Sequence, residues 1–147
     1  METKDIYVAK AKTVIIATGG LSYPKTGSTG DGYKFAESVG HTVTPLRPSL
    51  SALVCREGIC SECMGLSLKN VGIRVVDVIK KKEIYDDFGE MLFTHFGISG
   101  PIVLSCSSKI NRLNLNDIDI YIDLKPALTY EMLNNRLIRE FAQNNVK

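Results

Sequence analysis

The run Val71-Gly-Ile-Arg-Val-Val-Asp-Val-Ile-Lys-Lys-Lys-Glu-Ile-Tyr-Asp-Asp-Phe-Gly-Glu-Met-Leu-Phe-Thr94 decides the fold. Val71 to Ile79 is dense in β-branched residues and reads as a strand. Lys80-Lys81-Lys82 is a charged turn, and Glu83 to Thr94 is expected to return as the partner strand. Farther along, Ile118, Ile120, Ile122 and Leu124 alternate with Asp117, Asp119, Tyr121 and Asp123. A period of two puts the aliphatics on one face and the polar groups on the other, which is a half-buried strand. Between these strands Ser99-Gly100-Pro101 opens a helix over Ile102 to Ile110, since proline near a first helical position loses no needed hydrogen bond.

On either side the pattern changes. Tyr130 to Gln143 is an amphipathic helix with Thr129 as its N-cap. Leu133, Leu137 and Phe141 form its apolar stripe, widened by Met132 and Ile138. A helix this apolar on one side needs a partner surface, and the sequence closes within four residues of it, so a truncated fold is expected. Upstream, Ile6 to Ala9 and Thr13 to Ala17 read as short strands. Val14-Ile15-Ile16-Ala17 is apolar on both faces, as in a strand buried inside a layered sheet. It stops at Thr18-Gly19-Gly20, a turn-rich loop runs from Leu21 to Thr29, and Asp31 to Val39 reads as a short helix stopped by Gly40.

Composition narrows the function. The 147 residues are 44% apolar and 23% charged, as in an ordinary globular chain able to bury a core. A formal net charge of +2 with no basic tail argues against a nucleic-acid binder, which needs clustered lysine and arginine on one face. No apolar stretch reaches the roughly 20 residues that span a bilayer, and the first residues are not a signal peptide. A cytoplasmic setting is therefore expected, with Cys55, Cys60, Cys63 and Cys106 as thiols.

The glycine-rich segment carries the chemistry. A strand ending in Gly19-Gly20 lets another group approach the backbone with no Cβ in the way. Gly27, Gly30 and Gly32 lead into a helix whose first amides are unpaired and partly positive, a place for a phosphate or a flavin ring. The same residues also suit a plain glycine-rich connection.

The strings Ala17-Thr-Gly-Gly20 and Thr29-Gly-Asp-Gly-Tyr33 resemble the second flavin-domain motif of glutathione-reductase and fumarate-reductase type flavoproteins. The fuller string from Ala17 to Tyr33 resembles the BaiN-like NAD(P)/FAD-dependent oxidoreductases, which include aminoacetone-oxidase-like flavoproteins. The likeness continues through Gly40-His41, Pro48-Ser-Leu50, Gly65-Leu-Ser-Leu68 and Gly89-Glu-Met-Leu-Phe-Thr-His-Phe-Gly-Ile-Ser-Gly-Pro101. It implies FAD in a parent oxidoreductase, with Ala17, Thr18, Gly19, Gly20, Gly30, Asp31 and Gly32 near the cofactor and a possible NAD(P)H donor. It also implies an α+β chain. Residues 1–45 would be a strand–loop–helix piece of an α/β flavin domain. Residues 46–147 would be a mainly antiparallel β-barrel-like insert with short helices, cut in its helical part. The GxGxxG fingerprint that opens the family's flavin domain is absent, so the fragment alone is expected to hold no FAD and to be inactive.

His95, in Phe93-Thr-His-Phe-Gly97, suits a hydrogen-bonded structural group, and within the motif it becomes a candidate for facing a small-molecule substrate. His41, after Gly40, suits the electrostatics of a helix end, and Asp31 suits a cap. Cys60-x-x-Cys63 with Cys55 admits a zinc site or a redox dithiol, but the paired CxxC spacing is missing and free thiols are the favoured reading. No metal and no catalytic acid or base is assigned. A non-enzymatic partner-binding module and a small zinc module stand as alternatives. Self-association is expected, through the strand Val14 to Ala17 or through the stripe Leu133, Leu137, Phe141.

Overall fold

Strands occupy only the middle of the chain in a computed structural model, which describes residues 8–144. The chain divides after Leu46 into two compact units. The larger unit is built on β2 (Ser67–Asp77) and β3 (Lys82–Thr94), the hairpin read from the sequence. They pair antiparallel with Ile73 opposite Asp87 and Val75 opposite Tyr85. The turn closes because Asp77 Oδ1 accepts from the backbone N–H of Ile79 (3.1 Å) and of Lys80 (2.8 Å). Register shifts at Leu68/Val71 and Val75/Val76 bend the pair.

Short strands β1 (Leu53–Val54) and β4 (Gly97–Ser99), with β5 (Ile118–Asp123), complete a curled antiparallel sheet in the order β1-β4-β3-β2-β5, a half-barrel. On β5 the alternation holds, with Ile118, Ile120 and Ile122 half-buried and Asp119, Tyr121 and Asp123 exposed. The helix α3 (Pro101–Ile110) crosses the sheet, with Pro101 in its first turn as expected. Val71, Ile73, Val75, Met91, Val103, Cys106 and Ile110 are no more than 2% exposed and form the core between sheet and helix. Each such aliphatic side chain stabilises the unit by about 1.5–3 kcal/mol. The approach is close: a Cβ on Gly89 would stand 2.5 Å from Ile102 Cγ2.

Two further helices belong to this unit. One turn, α2 (Ile59–Glu62), carries Cys60. The longer α4 (Tyr130–Asn144) starts at Thr129, whose Oγ1 accepts from Met132 N at 3.3 Å. Its stripe stays open, with Leu137 41% and Phe141 64% exposed.

The smaller unit holds α1 (Asp31–Ser38), which ends one residue before the expected Val39. Val14 to Ala17 differs from its expectation. It forms no strand, and Val14, Ile15 and Ile16 are 78%, 85% and 55% exposed. β-Branched composition favours extended backbone, but a strand exists only where a neighbour takes its hydrogen bonds, and none does among the described residues. Of the run Ile6 to Ala9, Ile6 and Tyr7 lie outside the described residues, and Val8 and Ala9 carry no strand. Among the described residues no helix is long and apolar enough to cross a membrane.

Candidate functional site

In the smaller unit the glycines fold the segment back on itself. A Cβ on Gly19 would stand 2.6 Å from Ser28 Oγ, one on Gly30 2.7 Å from Leu21 Cδ2, and one on Gly32 2.5 Å from Thr18 Oγ1. Thr18-Gly19-Gly20 and the start of α1 are thus brought together. Ala17 is exposed just before them. Gly30 (φ 80°) is the N-cap of α1, in the left-handed region that suits glycine.

Asp31 follows Gly30 in the first turn, and its side chain does not cap the helix. Its carboxylate instead accepts from Thr29 Oγ1 (2.8 Å) and Lys34 Nζ (2.9 Å). These two donors, the lysine first, hold the carboxyl below its ordinary value, so it is ionised at neutral pH. A carboxylate at this helix start repels a phosphate. The glycine faces are filled by Ser28, Leu21 and Thr18 of the same segment, so the chain's own packing requires these glycines.

His95 lies in the larger unit, exposed at the tip of the β3–β4 hairpin, with its ring edge-on to Phe96 (centroids 4.8 Å apart, 89°). The tip is held by backbone approach. A Cβ on Gly97 would stand 2.1 Å from Leu53 O, and one on Gly100 2.7 Å from Met91 Cα. Thr94 Oγ1 donates to Gly97 O at 3.1 Å, and Cys55 N to Phe96 O at 3.0 Å. A histidine is thereby presented to solvent on a firm support.

The cysteines are free thiols, with Cys60 and Cys106 buried and Cys55 and Cys63 half-buried. Burial, then the neighbouring Cys60 thiol, pushes Cys55 up to about 11; burial, then Asp87, pushes Cys106 up to about 11. Cys60 lies in the first turn of α2, and neither Cys55 nor Cys106 has the lowered pKa of a nucleophilic thiol. Among the described residues no three His, Cys, Asp or Glu side chains stand together as metal ligands, which leaves the zinc alternative without a ligand set.

Other groups were not singled out from sequence. Tyr85 Oη donates to Asp87 Oδ2 at 2.6 Å, and Asp87 Oδ1 accepts from Phe88 N at 2.8 Å. Burial, then the Asp87 carboxylate, raises the Tyr85 hydroxyl well above its usual range. On the solvent face of the sheet a groove of about 670 Å³ is lined by Arg74, Phe88, Tyr121, Leu124, Pro126 and Leu133, among others. The Arg74 guanidinium lies 5.2 Å from the centre of the Tyr121 ring. Strand pairing between residues far apart in sequence makes this groove, and no local motif announces it.

A curled antiparallel sheet with one helix across it and an amphipathic helix after it defines a barrel-type module with a helical extension. The family of the HI0933-like protein barrel and H2TH domain matches residues 47–147, and the chain belongs to that family. It is 37% identical over 112 residues to a ribosomal RNA dihydrouridine synthase of Haemophilus influenzae, covering 76% of this chain and 26% of that protein. It is 34% identical over 102 residues to a 3-dehydro-bile acid delta(4,6)-reductase of Clostridium scindens, covering 69% and 24%. A ribosomal RNA dihydrouridine synthase of Escherichia coli is 39% identical over 95 residues, covering 65% and 23%. The chain spans about a quarter of the length of these relatives. The resemblance read from the ATGG, TGDGY and THFGISGP segments and the family membership agree.

Proposed function

We propose that this chain is the barrel-bearing segment of an FAD-dependent oxidoreductase that saturates a carbon–carbon double bond conjugated to a carbonyl. One observation carries the reading: relatives of two different substrate classes bear names that describe the same chemistry. Dihydrouridine is uridine with its ring double bond saturated, and a delta(4,6)-reductase acting on a 3-dehydro acid saturates bonds in line with an oxo group. Bound FAD, recharged by NAD(P)H, would supply the reducing equivalents, and the protein supplies binding and orientation.

In that reading Ala17, Thr18, Gly19, Gly20, Gly30 and Gly32 lie near the flavin. Asp31 accepts from cofactor hydroxyls, and His95 faces the substrate from its hairpin tip. The substrate is a small enone in a cytoplasmic enzyme. RNA is the second reading, and the two relatives named for ribosomal RNA favour it.

The test uses the longer protein that contains this sequence. It should purify yellow, with stoichiometric FAD, bleach with NADH or NADPH in the absence of oxygen, and regain colour on adding a conjugated enone. Colour returning only with unmodified ribosomal RNA would select the second reading. A longer protein without flavin would overturn both.

A further inference from the structure

We propose that Cys55 and Cys60 are the two halves of a reversible disulfide that ties β1 to α2. Spacing in the sequence singles out a different pair, Cys60 and Cys63. In the fold Cys60 is buried in the core cluster, and Cys55, just past the end of β1, packs against that same cluster. Residues 56–59 alone separate them, and the chain turns back there, with Cys60 N donating to Glu57 O (3.4 Å) and Ser61 N to Gly58 O (3.0 Å). The two thiols are neighbours: after burial, the first group acting on the Cys55 thiol is the side chain of Cys60. Cys63 sits at the far end of α2, as its C-cap, and is not among the groups that act on Cys55. All of these thiols are free in this structure.

What the bond would change follows from how each half is held. Buried Cys60 anchors α2, which lies against β3 and β4. β1 has two residues, pairs Leu53 with Ile98 and Val54 with Gly97, and is followed by the bond from Cys55 N to Phe96 O at 3.0 Å. A strand held by so few hydrogen bonds opens locally at small cost. With the disulfide in place β1 cannot leave unless α2 leaves too. Oxidation therefore firms the backbone that supports the hairpin tip and its His95.

The oxidant is a low-molecular-weight disulfide. The thiolate of half-buried Cys55 attacks one of its sulfurs, the small S–S bond breaks, and one small thiol departs. The Cys60 thiolate then attacks the Cys55 sulfur and displaces the second small thiol. Two protein S–H groups are lost and one protein S–S bond forms, while two electrons and two protons end on the two small thiols.

Peptide mapping tests the pairing. The reduced chain is incubated with oxidised glutathione, its remaining thiols are blocked, and it is digested with trypsin without reductant. Cleavage after Arg56 separates Cys55 from Cys60 and Cys63, so the proposed bond joins two peptides, whereas a bond between Cys60 and Cys63 stays within one. The joined peptides should appear, persist in Cys63→Ser, and be absent from Cys55→Ser. The longer protein that contains this sequence should give them too, since residues 53–62 supply both halves. On oxidation the Cys55 amide should exchange at least about tenfold more slowly, the effect of closing a short loop with a covalent bond. The amide of residue 55 in Cys55→Ser, treated in the same way, should not slow. A persistent mixed disulfide of Cys55 with glutathione, a bond between Cys60 and Cys63 in its place, or an unchanged Cys55 amide in the oxidised chain would overturn the proposal.

Discussion

Gly97→Ala should unseat β1 from the hairpin tip that carries His95. The added methyl would lie 2.1 Å from Leu53 O, 2.8 Å from Cys55 N and 3.0 Å from Val54 Cα, all backbone atoms that no rotamer change can move. Ordinary contact begins at 3.4 Å, so the strands must part by about 1.3 Å. The Cys55 N to Phe96 O bond, now 3.0 Å, would then exceed hydrogen-bonding range, as would the pairing of Leu53 with Ile98 and Val54 with Gly97. Losing two or three hydrogen bonds at about 0.5–1.5 kcal/mol each, and opening the core beside Leu53 and Cys55, costs about 2–4 kcal/mol. A domain of this kind holds only about 5–15 kcal/mol in total. Gly58→Ala is the control: its φ is −64°, no atom lies within 4 Å of the added Cβ, and the change should stay within about 0.5 kcal/mol. Urea unfolding with an unchanged slope reads both. Equal midpoints for the two variants would refute the account of the tip.

Three other outcomes follow. In native buffer at neutral pH a thiol reagent should modify Cys63 first and spare buried Cys60 and Cys106, all four thiols should react after denaturation without reductant, and elemental analysis should find no zinc. Asp77 is held below 3.8 by the Lys80 backbone N–H first, and Asp87 by the Tyr85 hydroxyl. Carboxyls lowered on folding stabilise the fold above their ordinary value, so urea midpoints should be flat near neutral pH and fall as the pH drops below about 4. A midpoint that rises on acidification would contradict this. The chain as given should purify without bound FAD, and a stoichiometric flavin spectrum would show that Thr18 to Gly32 suffices to hold the cofactor.

Much of the larger unit was legible because its signals are local. The β-branched run, the lysine turn, the period of two on Ile118 to Ile122 and the Pro101 helix start each fix an element within a few residues. What stayed hidden is held by distant partners. β1, β4 and α2 are two, three and four residues long, and each exists because another element packs on it. β2 begins at Ser67, before the β-branched run, because the irregularity at Leu68/Val71, with Asn70 at φ 57°, lets the chain re-enter the ladder. Val14 to Ala17 failed for the converse reason, having the composition of a strand and no neighbour. In the candidate site the packing of Thr18 against Gly32 was not legible, since distant side chains make it, and Asp31 proved to be tied to Lys34 and not a cap.

The tight turn at Asp77 also sets an order of events. Joining β2 to β3 closes a loop of only four residues, 78–81, whereas β5 must return across about forty residues to reach the same strand. Loop entropy rises by about 0.6 kcal/mol per doubling, so β5 docks at roughly 2 kcal/mol greater entropic cost. The hairpin is thus the element that forms on a microsecond scale, before the remaining chain has collapsed onto it. β5 therefore docks late, after the hairpin that receives it.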